Sequence, residues 1–314
     1  WLIELGSEVY GYALPPSGDE DNYVACKLEK KIHHTDGDIR NVKLFNEKVN
    51  TIKPDIIFHL AAQPLVVKSY EDPFETYSTN IMGVVNVFEV VRKNPSIKVF
   101  INVTSDKCYQ NNDWIWGYRE NDKMGGKDPY SASKGVSEII THSYIESFFS
   151  KNGTTNIASA RAGNVIGAGD WAENRIIPDY FRSLKNKQKL LIRNPDSTRP
   201  WQHVLEPLSG YLNLASNLLK GGKMYQGGWN FGPLDSKNYS VYHLINEISK
   251  KSNYFNNEIE NNITDKPEAR LLQLDISKAK SLLHWSPILD FDKTINFTVQ
   301  GYLSDISENS VFEN

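Results

Sequence analysis

The sequence predicts an α/β fold, a doubly wound parallel sheet with helices on both faces, followed by a smaller C-terminal module. Three observations point there. Three short apolar runs rich in Ile, Val and Phe, at residues 54–62, 98–105 and 156–167, have the length of buried strands. Helical patterns fill the intervals between them. Strand and helix alternate, and alternation implies right-handed crossovers within one parallel sheet.

In chain order, Trp1, Leu2 and Leu5 read as the last turn of a helix that stops at Gly6, with residues 8–14 as a strand. Between the first two apolar runs, Phe74, Tyr77, Ile81, Val84, Val85, Phe88 and Val91 recur at helical spacing and predict one buried face. Between the second and third runs, Tyr130 to Phe149 is a second helix. Further on, a helix starts near Pro178, and residues 190–204 combine a short strand with a polar turn that holds Arg193 and Arg199. Residues 207–219 form a strong helix, and another lies near 240–251. An Asn-rich loop covers 252–264, and a last amphipathic part follows. The expected division is a nucleotide-binding domain over 1–168, joined again by 203–234, and a substrate domain from 169–202 and 235–314.

Composition narrows the function. A 314-residue chain has ample material for a core, and 39% hydrophobic with 23% charged residues is that of a globular protein. A net charge of -3 argues against a general nucleic-acid or membrane surface. No apolar run reaches the roughly 18 residues that span a bilayer. Cys26 and Cys108 fit no metal or redox spacing and suggest a reducing compartment, so the cytoplasm is the expected location. The seven His form no ligand cluster, and no metal site is expected.

Parallel sheets bind ligands at the carboxyl ends of their strands. HLAAQ, TSDK and GNVIGAGDW follow the three runs in turn, and together they mark a ligand crevice. Tyr130 and Lys134, four apart, share one helix face. A lysine ammonium near a phenol favours phenolate and lowers a reference pKa of about 10. Tyr130 is therefore a candidate acid/base toward an alcohol, and Thr104 at the preceding strand end can bond the same hydroxyl.

These motifs resemble the extended short-chain dehydrogenase/reductases. VTSDKCYQ, WGYRENDKMGGKDPYSASKG, RAGNVIGAGDWA, RIIPD and TRPWQHVLEPLSGY narrow the resemblance to the CDP-glucose 4,6-dehydratases within that family, over residues 1 to about 290. The resemblance implies a Rossmann-like fold, an NAD cofactor and CDP-glucose as substrate. It implies a hydro-lyase reaction: oxidation at C4, loss of water across C5 and C6, and return of hydride to C6. Thr104, Asp106, Lys107, Tyr130 and Lys134 are the implied catalytic residues. Related dTDP-glucose enzymes carry Asp-Glu where this chain has Asp106-Lys107, which implies Asp106 as acid and Lys107 as C5 base or enolate stabiliser. Asp38, Ile39, Leu60, Ala61, Ala62, Gln63 and Asn80, with Thr104, Tyr130 and Lys134, are the implied cofactor residues. Asp38 also reads as an ordinary helix N-cap. Ser105, Asn164, Arg175, Arg193 and Arg199 are the implied substrate contacts. Relatives pair through a four-helix bundle, here 73–93 with 130–149, which implies a homodimer. The family's product feeds deoxysugar and surface-polysaccharide synthesis.

Two departures stand out. The glycine-rich GxxGxxG turn is absent, and the first strand that carries it is expected in a segment before Trp1. VYGYAL has no Asp or Glu to grip a ribose 2′-hydroxyl, which implies looser NAD binding. Two other readings remain: a different NAD-dependent nucleotide-sugar dehydratase or epimerase, and an inert nucleotide-sugar-binding remnant.

Overall fold

The structure, a computed structural model, describes residues 1–150, 153–192, 194–234, 239–252 and 271–310, with side chains up to 304. Its strands are β1 (Tyr10–Ala13), β2 (His33–Asp36), β3 (Ile56–His59), β4 (Val99–Val103), β5 (Asn156–Ala162), β6 (Val165–Ile166), β7 (Thr198–Arg199), β8 (Gln202–His203), β9 (Gly227–Phe231) and β10 (Tyr239–Ser240). Its helices are α1 (Asn22–Ala25), α2 (Val42–Ile52), α3 (Val66–Glu71), α4 (Pro73–Tyr77), α5 (Gly83–Lys93), α6 (Pro129–Tyr144), α7 (Ile176–Lys185), α8 (Leu205–Gly221), α9 (Val241–Ser252), α10 (Ser277–Leu283) and α11 (Phe291–Ser310).

The three apolar runs form β3, β4 and β5, which pair in parallel with β9 in the order β3-β4-β5-β9. β1 and β2 form a separate parallel pair rather than an extension of that sheet. Tyr12 of β1 and Ile57 of β3 nevertheless pack against the same apolar cluster. Residues 2–6 are turns, and Gly6 takes a φ of +81°, the left-handed conformation its type allows.

Both faces of the main sheet are covered, as its unbroken apolar strands require. One face packs Phe100 and Ile157 against Val84, Val87, Phe88 and Val91 of α5 and Phe45 and Val49 of α2. The other packs Val99, Ile101, Ala158 and Trp229 against Tyr211, Leu214 and Leu218 of α8 and Leu283 and Trp285 near α10. A third cluster, built from α7, α9 and α11 with Ile192 and Trp201, forms the C-terminal module.

The first helical pattern needs correction. It is α4, a π turn at Ser78–Met82 and α5, not one helix with one buried face. The wider turn shifts the register. Val84, Phe88 and Val91 face the core, whereas Phe74 and Tyr77 are exposed, Phe74 at 79%. Among the described residues of 190–197 there is no strand; the extended pieces nearby are β7 and β8. The helix near 240–251 is α9. Most of the Asn-rich loop lies outside the described residues.

Candidate active site

The carboxyl ends of β4 and β5 open into a cleft of about 710 Å³. Thr104, Ser105, Asp106, Lys107, Tyr130, Asn164, Arg175 and Arg199 all line it. These residues are up to 95 positions apart in sequence (Thr104 to Arg199), and the parallel sheet gathers them because both strands end on one edge.

β4 ends at Val103, and the chain turns at once into a single 3₁₀ turn, Asp106–Cys108. Ser105 caps that turn: its Oγ accepts from the Lys107 N–H at 3.2 Å. The same hydroxyl donates to Asp106 Oδ1 at 2.9 Å. Asp106 Oδ2 is buried without a hydrogen-bond partner, and a Cβ at Gly163 would stand 3.1 Å from it. Burial raises the Asp106 carboxyl above the usual range, against the opposing pull of Lys107, Ser105 and Arg199. A carboxyl that holds its proton in a cleft can act as an acid.

α6 begins with Asp128 as N-cap, its Oδ1 accepting from the Ser131 N–H at 2.9 Å, and with Pro129 in the first turn. The helix places Tyr130 and Lys134 on its buried face. The Nζ atoms of Lys107 and Lys134 each lie 6.0 Å from the centre of the Tyr130 ring. The lowering of the phenol expected from Lys134 is not what the structure shows. Burial pushes Tyr130 up to about 12, and the Ser105 hydroxyl only partly opposes it. Burial also pulls Lys134 down to about 8, against the pull of Glu138.

Of the residues implied for the cofactor, Leu60, Ala61, Ala62 and Gln63 form the turn after β3. The side chains of Gln63 and Asn80 are committed to holding that turn. Asn80 Oδ1 accepts from the Gln63 N–H at 2.8 Å, and its Nδ2 donates to the Gln63 carbonyl at 3.0 Å and to Ser133 Oγ at 2.9 Å. Gln63 Nε2 donates to Thr76 Oγ1 at 2.9 Å. Asn80 thus shapes the turn from within the scaffold. Ile39 is a core residue, packed with Phe45 and Val84. Asp38 forms an ion pair with Arg40, and the N-cap of α2 is Asn41. None of these lines the main cleft. Arg193 lies outside the described residues. Arg175 pairs with Asp170 at 2.7 Å, and Arg199 is buried with Nη1 donating to the Thr198 carbonyl at 2.8 Å.

Three contributors escaped the sequence reading. Trp201 and Tyr211 line the cleft. Glu138 bonds Thr104 behind it. A signal existed for Glu138, which stands four residues after Lys134 as Lys134 stands four after Tyr130.

A family model for GDP-mannose 4,6 dehydratase matches residues 1–298. The chain belongs to this family. Within it, CDP-glucose 4,6-dehydratase of Salmonella typhimurium is 44% identical over 304 residues, 96% of this chain and 85% of the relative. The fold is that of a dTDP-glucose 4,6-dehydratase from Streptomyces venezuelae solved with NAD, with a TM-score of 0.83, 19% identity, and 98% and 93% of the two chains covered. It is equally that of a UDP-glucose 4-epimerase from Thermotoga maritima, with a TM-score of 0.83, 20% identity, and 97% and 94% covered. Among the described residues no helix is long and apolar enough to cross a membrane.

His59, at the end of β3, yields a test of the site's electrostatics. It is buried, and burial together with Lys134 lowers it to about 3. The unfolded chain binds the proton first, near 6.5, so native stability falls as pH drops from about 6.5 toward 3. Urea unfolding should show His59 costing about 2 kcal/mol at pH 5 relative to pH 7. His59→Leu should remove that share of the slope.

Proposed function

We propose that the chain converts CDP-glucose to CDP-4-keto-6-deoxyglucose and water. The observation that carries this reading is the convergence of Thr104, Asp106, Lys107 and Tyr130 on one cleft, in a chain 44% identical to a CDP-glucose 4,6-dehydratase.

The cleft, with Asn164, Arg175 and Arg199 along it, suits a nucleotide sugar. Ala61 and Ala62 keep the turn after β3 small, and Asn80 and Gln63 hold it rigid, which suits close approach by a cofactor backbone. In this reading Ala61, Ala62, Tyr130 and Lys134 hold NAD, with Asp38 toward its adenosine end. NAD, when bound, supplies the hydride acceptor for C4 and the hydride donor for C6. Asn164, Arg175 and Arg199 serve the diphosphate and nucleoside, because guanidinium groups bond phosphate oxygens in pairs.

The chain's own groups then carry the protons. Tyr130 takes the proton of the C4 hydroxyl while the C4 hydrogen leaves as hydride. The C4 ketone acidifies the C5 proton. Lys107 removes that proton or stabilises the enolate electrostatically. Asp106, protonated, gives its proton to the departing C6 hydroxyl, which leaves as water. Asp106 Oδ2 has no competing partner, which favours that role. Asp106 and Lys107 also favour a dehydratase over an epimerase, since an epimerase eliminates nothing. The C-terminal apolar cluster supports the division into a nucleotide-binding domain and a substrate domain.

The protein acts as a homodimer in this reading. Phe74 and Met82, on α4 and the π turn, and Ile139 and Phe148, of the α6 region, are exposed, and α4 packs against α6. These four apolar residues suit a bundle formed with a second copy.

Incubation with CDP-glucose and NAD should yield a product one water lighter, with the alkaline absorbance of a 4-keto sugar. Tyr130→Phe should lower kcat by about 100-fold or more; absence of product with the unaltered protein, any segment before Trp1 included, defeats the reading. In deuterated solvent, Lys107→Ala should slow deuterium entry at C5 by about 100-fold. Entry at the normal rate would remove Lys107 from the base role. Sedimentation should show a dimer, and Phe74→Glu should shift it toward monomer.

A further inference from the structure

Tyr130, Lys134 and Glu138 stand at successive turns of α6, all on its buried face. The third has no part in the chemistry above. Glu138 is 4% exposed, and its carboxylate meets groups from two strands. Thr104 Oγ1, at the end of β4, donates to Glu138 Oε1. From β5, Ser159 Oγ donates to Oε2 at 2.6 Å and Arg161 Nη2 donates to Oε2 at 2.7 Å. Arg161 is itself held, with Nη1 donating to Tyr109 Oη at 2.5 Å and to the Glu120 carbonyl at 3.1 Å. Tyr109 Oη passes its own proton to Asn230 Oδ1 at 2.7 Å. A Cβ at position 228 would lie 2.2 Å from Arg161 Nη2, so Gly228 makes the room this arrangement needs.

A carboxylate without water can stay ionised only if it is paired and hydrogen-bonded. Here burial acts to raise Glu138, but Arg161, Ser159 and Thr104 together outweigh it and hold the carboxyl below its usual range. Two consequences follow for the cleft. Thr104 has one proton and gives it to Glu138, so toward the cleft it offers lone pairs only. Of the two hydroxyls beside a bound sugar alcohol, Tyr130 alone then exchanges a proton. The charge of Glu138, one turn from Lys134, also favours the ammonium form of a lysine that burial disfavours.

We propose that Glu138 is a positioning residue for the C4 oxidation, acting through Thr104 by fixing its proton away from the cleft and through Lys134 by sustaining its charge. The proposal rests on the reading of the site given above. The charged and titratable groups around the pair are Arg161 from β5, Cys108 from the turn after β4, His59 from β3, and Tyr130 and Lys134 on α6 itself.

Glu138→Gln tests it. The amide oxygen can remain with Arg161 and Ser159 while its NH₂ donates to Thr104, which reverses the polarity of that hydroxyl. We expect kcat to fall about tenfold to hundredfold, with KM for CDP-glucose within about twofold. We expect the alkaline limb of the kcat profile to move to lower pH, because an ammonium without its carboxylate loses its proton sooner. Glu138→Asp keeps the charge but withdraws from Thr104, so it should restore the alkaline limb without restoring full kcat. Below the alkaline limb, where Lys134 keeps its proton in both backgrounds, Thr104→Val combined with Glu138→Gln should be little slower than Thr104→Val alone. An ¹⁵N-lysine NMR titration of Lys134 reads the charge effect without any turnover. A lower Lys134 midpoint in Glu138→Gln supports the proposal even if the unaltered chain fails to turn over CDP-glucose, which would defeat the functional reading alone. A folded Glu138→Gln protein with the unaltered Lys134 midpoint and additive kinetics overturns it. Should Glu138→Gln not fold, Glu138→Asp with unaltered kcat overturns it equally.

Discussion

The Glu138–Arg161 ion pair is the interaction on which the rest of the structure depends. It joins α6 to β5, and through Thr104 it reaches the end of β4. Both side chains are about 95% removed from solvent, at 4% and 5% exposure. Loss of either partner would leave an uncompensated charge in the core, at a cost of about 3–5 kcal/mol. A buried pair of this kind is a poor source of net stability, since apolar residues of equal volume would serve as well. Together with Asn102, which bonds Ser137 and Thr141, it ties the sheet to the face of α6 that carries Tyr130 and Lys134.

Around this pair burial displaces the protonation of several groups in the site. Burial raises Asp106 and Tyr130, lowers Lys134 and His59, and is opposed at each of Asp106, Tyr130 and Lys134 by a named neighbour. Groups pushed apart in this way can hold different protonation states at one pH, which is what an oxidation followed by an elimination demands. The capped turn after β4 contributes as much as the charges do. Ser105 bonds the Asp106 carboxyl and the Lys107 backbone N–H at once, which fixes the turn that carries both residues.

Much was legible in the sequence because its signals are local. An apolar run of strand length must be buried on both faces, and small or polar residues after it must sit at a sheet edge. Thr104 and Asp106 could be found that way, Tyr130 by its spacing to Lys134, and Arg199 only through the family resemblance. The shift of the first helical face could not be read, because a π turn at Ser78–Met82 leaves no pattern in composition. The resemblance implied Asn80 for the cofactor, and the structure shows its amide bonded to the Gln63 backbone. A polar side chain in a sequence does not reveal whether its partner is a ligand or the chain itself.

By itself the sequence determined the α/β class, the carboxyl edge as the site, and the Tyr130–Lys134 spacing. Periodicity and i,i+4 geometry depend only on neighbours along the chain. Only the tertiary structure decided the protonation directions of Tyr130, Asp106 and Lys134, because desolvation depends on what packs around a group. It alone revealed that Arg161, a cation inside an apolar strand, meets Glu138 rather than solvent. Those two are 23 residues apart, and the parallel crossover that unites α6 with β5 is what brings them within 2.7 Å.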